Sequence, residues 1–177
     1  MRKIRLYIAA SIDGYIANID GGLDWLSAYP ITPELDYGYN EFFESVDSVL
    51  MGGRTYRDIL NMDVIYPYKD KISYIITRNK MNNPKENIHF ISDNIIETLS
   101  EIKKQEGKDI WLVGGGEIIS MFLDNDSIDE MTVTIIPIIL GSGISLFPNT
   151  AKESTWKLQN THSYCNNVLQ VEYHRNI

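Results

Sequence analysis

Cysteine is nearly absent from this sequence, because its 177 residues include only Cys165. A single cysteine excludes an internal disulfide and any cysteine-rich zinc site. Histidine is almost as scarce, and His89, His162 and His174 do not have the spacing of a metal pair or a catalytic triad. The sequence therefore predicts no metal site.

Positive charge is also in short supply. The chain has 16 lysines and arginines against 24 acidic residues, so its formal net charge is −8. This charge argues against a nucleic-acid-binding or anionic-membrane-binding protein, although a local basic site for a phosphorylated ligand is still permitted. Long hydrophobic runs are missing as well, and the apolar run in "MRKIRLYIAAS" is too short for a signal peptide or a membrane span. We expect a cytoplasmic protein.

Strands alternate with helices along the whole chain. No linker, repeat or low-complexity segment interrupts the pattern, so a single domain over residues 1–177 is predicted. The predicted strands are 4–10, 48–52, 72–77, 88–91, 109–113 and 130–139, with helices at about 32–46, 55–60, 94–102 and 116–123. The pattern predicts an α/β fold with three layers: a mostly parallel central sheet, helices on both faces and a C-terminal antiparallel hairpin.

Two further predictions concern the ends of these elements. Thr32 is a helix cap with Pro33 in the first turn, and apolar residues then follow at helical spacing from Leu35 to Val46. Pro137, near the end of the strand 130–139, indicates a sheet edge or a bulge.

Three consecutive glycines, Gly114, Gly115 and Gly116, lie between a predicted strand and a predicted helix. They do not form the dinucleotide fingerprint G-x-G-x-x-G, because Ile119 occupies the third glycine position. A helix that begins with bare amides attracts phosphate. A tight turn with nothing bound explains the glycines equally well.

A second strand end has a similar arrangement in "MGGRTYRDI", where Gly53 precedes Arg54 and Thr55. An arginine in the first turn of a helix is unfavourable because its charge opposes the helix dipole. A bound anion would explain why Arg54 is found there. "IITRN" places Thr77 and Arg78 after another strand, and Arg54 and Arg78 together can bind the extra phosphate of NADP. Solvated surface arginines are the alternative.

Asp36 is the carboxylate that the sequence singles out. It lies seven residues before Phe43, over the same face of the predicted helix and at the border of its buried stripe. A carboxyl group at an apolar cleft has a raised pKa and can hold a proton for donation. The alternative is an exposed aspartate in the first turn of a helix.

Taken together, these motifs resemble the dihydrofolate reductase-like superfamily. The chain is most similar to stand-alone bacterial reductases related to the riboflavin-biosynthesis (RibD C-terminal) reductase domain. The resemblance spans the chain in "IAASIDGYIA", "LDWL", "DYGYNEFFESVDSVLMGGRTY", "WLVGGGEI" and "NTHSYCNNVLQVEYHR", while "IIPIILGSGISLFP" is typical of the riboflavin-type branch.

The resemblance implies an oxidoreductase that uses NADPH and places its residues in two groups. Asp36 would be the catalytic acid, with Trp25, Asp36 and Tyr39 against a small heterocyclic substrate. The implied cofactor-binding residues are Ala9, Ala10, Ile16 and Ala17 around the nicotinamide, Gly53, Arg54 and Thr55 at the phosphates, Thr77 and Arg78 at the 2′-phosphate, Gly114, Gly115, Gly116 and Glu117 at the pyrophosphate, and Val113 beside them in the cofactor site.

The implied reaction is that of a 5-amino-6-(5-phosphoribosylamino)uracil reductase. Dihydrofolate reductase activity and a non-catalytic NADPH-binding protein are the alternatives, and a structural α/β domain without cofactor is a third. Lys71 stands where folate reductases have an arginine that clamps the substrate's carboxylate, and lysine lacks the bidentate fork. By analogy with the riboflavin-type branch, a homodimer through an exposed edge at 135–143 is expected.

Overall fold

The computed structural model describes residues 1–79, 86–149 and 152–176. One sheet of eight strands runs through it in the order β5-β4-β3-β6-β1-β7-β10-β9. The first six of these strands are mutually parallel, while β10 and β9 form the predicted antiparallel hairpin. A two-stranded sheet pairs β2 with β8. The strands are β1 (Ile4–Ser11), β2 (Tyr15–Ala17), β3 (Val46–Gly52), β4 (Ile72–Ile76), β5 (Ile88–Ile91), β6 (Asp109–Gly114), β7 (Glu130–Ile136), β8 (Ile144–Ser145), β9 (Trp156–Ser163) and β10 (Leu169–Arg175).

Helices cover both faces of the sheet, as the sequence predicted. They are α1 (Tyr39–Ser45), α2 (Gly53–Asn61), α3 (Ile95–Lys104) and α4 (Gly116–Asp124). Alternate residues of β6 show the division: Ile110 and Leu112 pack with α3 and α4, whereas Trp111 packs with α1 and α2. Side chains of neighbouring strand residues point to opposite faces, so one buried strand serves two cores.

The prediction of a helix from Thr32 onward is wrong, because α1 begins only at Tyr39. Thr32 and Leu35 instead exchange backbone hydrogen bonds in a small turn. Tyr37 and Gly38 then have φ values of +56° and +76°. A right-handed helix cannot continue through residues with positive φ. Asp36 is therefore not on a helix face.

A third cluster of buried residues lies where β1 and β7 end, on the α1 side of the sheet. It consists of Trp25, Tyr37, Ile136 and Val168, with Ala9 packed against it. We call it the Trp25 cluster. Because it joins the segment before α1 to the turn of the C-terminal hairpin, it closes one side of the sheet's carboxyl edge.

The predicted sheet edge near Pro137 is wrong. β7 lies inside the sheet, paired with β1 on one side and β10 on the other, and it ends at Ile136 before the proline. The expected dimer interface at 135–143 is thus not a free strand edge, although Ile139 beyond the strand is exposed. The long edge strand is β9.

No helix in the described ranges is long and apolar enough to cross a membrane.

The amino edge of the sheet, at which β1, β6 and β7 begin, contains a network of ion pairs. The buried Glu130 carboxylate accepts a hydrogen bond from Lys3 and forms an ion pair with Arg5, whose Nε lies 2.8 Å from it. Burial by itself would raise the pKa of Glu130, but the Lys3 hydrogen bond and the charges of Arg5, Lys3 and His174 outweigh it and hold that pKa below its ordinary value.

We therefore expect Glu130→Gln to lower the free energy of unfolding by about 1.5–3 kcal/mol near pH 7, because it removes a charged acceptor from paired cations. A depressed pKa contributes stability that is present above the unfolded-state pKa and is lost as pH falls through the folded-state pKa. Urea denaturation should therefore show the difference between wild type and variant shrinking in acid. Glu101→Gln, in an exposed pair with Lys104, is the control with little effect. A loss that is the same at every pH would contradict this assignment.

Candidate active site

The first predicted turn, between β3 and α2, is packed against the end of β4. A side chain at residue 53 would place its β-carbon 2.7 Å from Thr77 Oγ1, so only glycine fits there. This contact brings "MGGRTY" and "TRN" together at one edge of the sheet. The structure thus joins Gly53, Arg54 and Thr55 to Thr77 and Arg78 in a single region.

The second turn, between β6 and α4, faces the first. Gly114 has a φ of +124°, which favours glycine, and the Gly114–Gly115 peptide is cis. A β-carbon on Gly115 would lie 3.4 Å from Thr55 Oγ1. On Gly116 it would lie only 2.5 Å from the carbonyl oxygen of Ser145, so the chain's own packing requires that glycine. Val113 lies directly before the turn, and Glu117 has an exposed side chain in the first turn of α4.

Three exposed arginines surround these turns. Within the described ranges, Arg54, Arg57 and Arg78 have neither an ion pair nor a side-chain hydrogen bond. Nη1 of Arg57 lies 3.6 Å from the position that a β-carbon on Gly53 would occupy. Arg57 was missed by the sequence analysis, although its i+3 spacing from Arg54 on one helix is a usable signal.

The predicted nicotinamide residues lie at the end of β1 and in β2. Ala9 packs with the Trp25 cluster, whereas Ala10 and Ile16 pack on the opposite, α3/α4 face. Ala9 and Ala10 therefore cannot both present side chains to one ring. Ala17 is buried and pairs with Ile144 of β8.

The loop between β1 and β2 is fastened to the segment after β7. The Asp13 carboxylate accepts hydrogen bonds from the backbone amides of Leu140 at 3.1 Å and Gly141 at 2.7 Å, and from Ser11 Oγ at 2.7 Å. These bonds lower the pKa of Asp13, with the Ser11 hydrogen bond as the largest cause. Asp13 thus fixes one wall of the carboxyl edge.

The predicted substrate residues border the Trp25 cluster. Trp25 is 8% exposed, and its indole Nε1 is buried without a hydrogen-bond partner in the described part of the chain. Asn166 Oδ1, from the hairpin turn, is likewise buried and unpaired. Tyr39, the first residue of α1, packs on Tyr7 and Trp111. Two buried polar atoms without a partner in the described ranges therefore lie at or next to the Trp25 cluster, on Trp25 itself and on Asn166, which donates to Tyr37.

Asp36 does not have the raised pKa that the sequence predicted. Its carboxylate accepts hydrogen bonds from the backbone amides of Gly38 at 3.0 Å and Asn40 at 3.1 Å. The Asn40 bond is the largest cause of a lowered pKa, and the Gly38 bond the next. Asp36 is thus ionised at neutral pH and caps the start of α1.

Lys71 does not have a free ammonium group for a substrate carboxylate, because it binds the C-terminal end of α1. Its ammonium group donates hydrogen bonds to the carbonyl oxygens of Phe43 at 2.8 Å and Val46 at 2.7 Å, and lies 3.9 Å from the centre of the Phe43 ring. Burial lowers its pKa. The lysine therefore stabilises the C-terminus of α1.

The chain is similar to several known proteins. The model of the RibD C-terminal domain family matches residues 2–170. The uncharacterized protein YwjB of Bacillus subtilis (strain 168) is 37% identical over 174 residues, which cover 98% of each chain.

Solved structures of related proteins have the same fold as this chain. A protein from Shewanella sp. PV-4 named for riboflavin biosynthesis superimposes with a TM-score of 0.88 at 29% identity over the whole of both chains. The Thermotoga maritima diaminohydroxyphosphoribosylaminopyrimidine deaminase/5-amino-6-(5-phosphoribosylamino)uracil reductase has a TM-score of 0.73 at 18% identity, over 99% of this chain and 57% of that one.

Enterococcus faecalis dihydrofolate reductase, complexed with NADP(H), has a TM-score of 0.68 at 18% identity over 99% of this chain and 97% of that one. At this identity the likeness establishes the fold alone. The chain therefore belongs to the RibD C-terminal domain family and has the dihydrofolate reductase-like fold.

Proposed function

We propose that this protein is an NADPH-dependent reductase of a small nitrogen heterocycle, with 5-amino-6-(5-phosphoribosylamino)uracil or a close relative as substrate. The observation that carries the proposal is the meeting, at one sheet edge, of two glycine turns and three arginines that have no partner among the described residues, in a chain of this family. The named reductase among its structural neighbours supports the substrate class.

The residues at the carboxyl edge fit such a cofactor. The first amides of α2 and α4 have no partner within their helices and suit the pyrophosphate. Arg54 and Arg78, with Thr77, suit the 2′-phosphate, since guanidinium groups match phosphate oxygens. Ala10, Ile16 and Ala17 would lie beside the nicotinamide, which Ala9 would approach through its backbone because its side chain is on the other face. When bound, NADPH supplies a hydride to an electrophilic carbon and is oxidised to NADP⁺.

On the substrate side, the chain's residues orient the heterocycle. The ionised Asp36 accepts a hydrogen bond from a ring N–H or amino group. Trp25, whose indole Nε1 is buried without a partner in the described part of the chain, contributes its ring to the neighbouring cluster. Tyr39 offers an aromatic contact. Because Asp36 carries no proton at neutral pH, water supplies the proton that the substrate's heteroatom takes up as its carbon receives the hydride.

The contacts of Lys71 argue against dihydrofolate as the substrate. A folate substrate needs a cation for its glutamate carboxylate, and Lys71 uses its ammonium group to hold the end of α1. The position of Lys71 therefore argues against dihydrofolate as the substrate.

The direct test follows NADPH oxidation by the purified protein with 5-amino-6-(5-phosphoribosylamino)uracil and with dihydrofolate in parallel. Turnover with the first compound alone is the expected result. Turnover with dihydrofolate would favour the alternative substrate, and tight NADPH binding without turnover a non-catalytic protein. Absence of NADPH binding would overturn the proposal.

We expect Arg54→Ala and Arg78→Ala each to weaken NADPH binding by about 5–30-fold, because each removes a charged donor from the 2′-phosphate. NADH, which lacks that phosphate, should bind wild type and variants alike. Isothermal titration at fixed salt measures both. Lys157→Ala, in the distant edge strand β9, is the matched control for charge. An equal loss for NADPH and NADH would contradict the assignment of these arginines.

We expect Asp36→Asn to lower kcat/KM by about 10–150-fold while leaving NADPH affinity unchanged, because a charged acceptor for the substrate is lost. Steady-state kinetics and cofactor titration separate the two effects. Glu41→Gln changes an exposed acid in the first turn of α1, the helix that follows Asp36, and should leave both unchanged. Unaltered turnover in Asp36→Asn would remove this residue from the site.

A further inference from the structure

Tyr37, directly after Asp36, has an unusual backbone conformation. It is 5% exposed and has a φ of +56°, a region that bulky side chains seldom enter. Such a conformation persists only where the surrounding structure holds it, and it is found most often at functional sites. The contacts that hold Tyr37 are therefore informative.

Two side chains donate to the same backbone carbonyl oxygen of Tyr37. Tyr7 Oη, from β1, lies 2.7 Å from it, and Gln170 Nε2, from β10, lies 2.9 Å from it. Asn166 Nδ2 also donates to Tyr37 Oη at 2.6 Å. Both the backbone and the ring of Tyr37 are thus fixed by elements remote in sequence.

Gln170 is itself held from two further sides. Its Nε2 lies 2.8 Å from Thr134 Oγ1 on β7, the strand with which β10 pairs, and its Oε1 accepts from Tyr164 Oη at 3.3 Å. The carboxamide therefore connects the sheet, the hairpin turn and the segment before α1.

One peptide unit links this network to Asp36. The carbonyl of Tyr37 and the N–H of Gly38 belong to the same planar peptide, and in a trans peptide they point in opposite directions. The carbonyl is held by Tyr7 and Gln170, while the N–H donates to Asp36 Oδ1 at 3.0 Å. Fixing one side of the peptide thus aims the other side at the carboxylate.

We propose that Gln170 and Tyr7 are positioning residues, which orient the Asp36 carboxylate in the substrate site through the Tyr37–Gly38 peptide. The kinetic part of this inference rests on the proposed function of Asp36. The structural part, the coupling of Gln170 and Tyr7 to the carboxylate, does not.

The first test measures the Asp36 carboxyl itself, by a carbon-detected NMR titration of the wild type, Gln170→Leu and Tyr7→Phe. Either substitution removes a bond that holds the Tyr37 carbonyl, so the Gly38 N–H should no longer be directed at Asp36. The pKa of Asp36 should then rise by roughly half a pH unit, since that hydrogen bond favours the ionised form. Asp36 faces the hydroxyls of Tyr7 and Tyr164, whose pKa values burial raises, so both stay neutral during the titration.

Tyr74→Phe is the matched control, because it removes a buried hydroxyl on the opposite face of the sheet, beside Arg2. It should leave the Asp36 titration unchanged. Tyr7→Phe keeps the test available if Gln170→Leu fails to fold. An unshifted Asp36 in a folded Gln170→Leu or Tyr7→Phe variant would overturn the proposal, whatever the enzyme's activity.

The second test is a double-mutant cycle on kcat/KM with the substrate that the wild type turns over. Gln170→Leu should lower kcat/KM by roughly 10-fold in the wild-type background and cause no further loss in Asp36→Asn, because it acts through that residue. NADPH affinity should not change. Equal losses in both backgrounds would contradict a positioning role. A wild type without turnover would instead count against the proposed function and leave the NMR result to decide this inference.

Discussion

The parallel pairing of β3, β6 and β1 is the constraint on which the rest of the structure depends. Leu50, Leu112 and Leu6 lie side by side in register across these strands, and all three are fully buried. Parallel strands in register end at one edge, so the turns that follow them must meet there. The candidate cofactor site is a consequence of this pairing.

Charge is distributed unequally between the two edges of the sheet. At the amino edge, Arg2, Lys3 and Arg5 are all paired with carboxylates. At the carboxyl edge, Arg54 and Arg78 have no such partner in the described ranges, although the chain as a whole carries eight more negative charges than positive ones. Paired cations stabilise the fold, whereas unpaired ones at a strand end are available to a bound anion.

The glycine turns combine two physical requirements. Gly53 and Gly116 are glycines because a β-carbon would collide with Thr77 or with the carbonyl of Ser145. Gly114 has a backbone conformation that favours glycine. Much of the glycine content is therefore required by the chain's own packing.

The sequence by itself determined the alternation of strands and helices, the hairpin and the strand-end turns, because these depend on local periodicity and on glycine. It did not reveal that Asp36 is ionised and accepts hydrogen bonds from the start of α1, or that Gln170 binds the Tyr37–Gly38 peptide next to it. Both facts follow from the left-handed conformation of Tyr37, which side chains from distant strands impose. Nor could it reveal that Lys71 caps α1, since that bond joins residues on separate elements. Tertiary structure decided these roles because hydrogen bonds between remote residues, unlike periodicity, exist only after the sheet has formed.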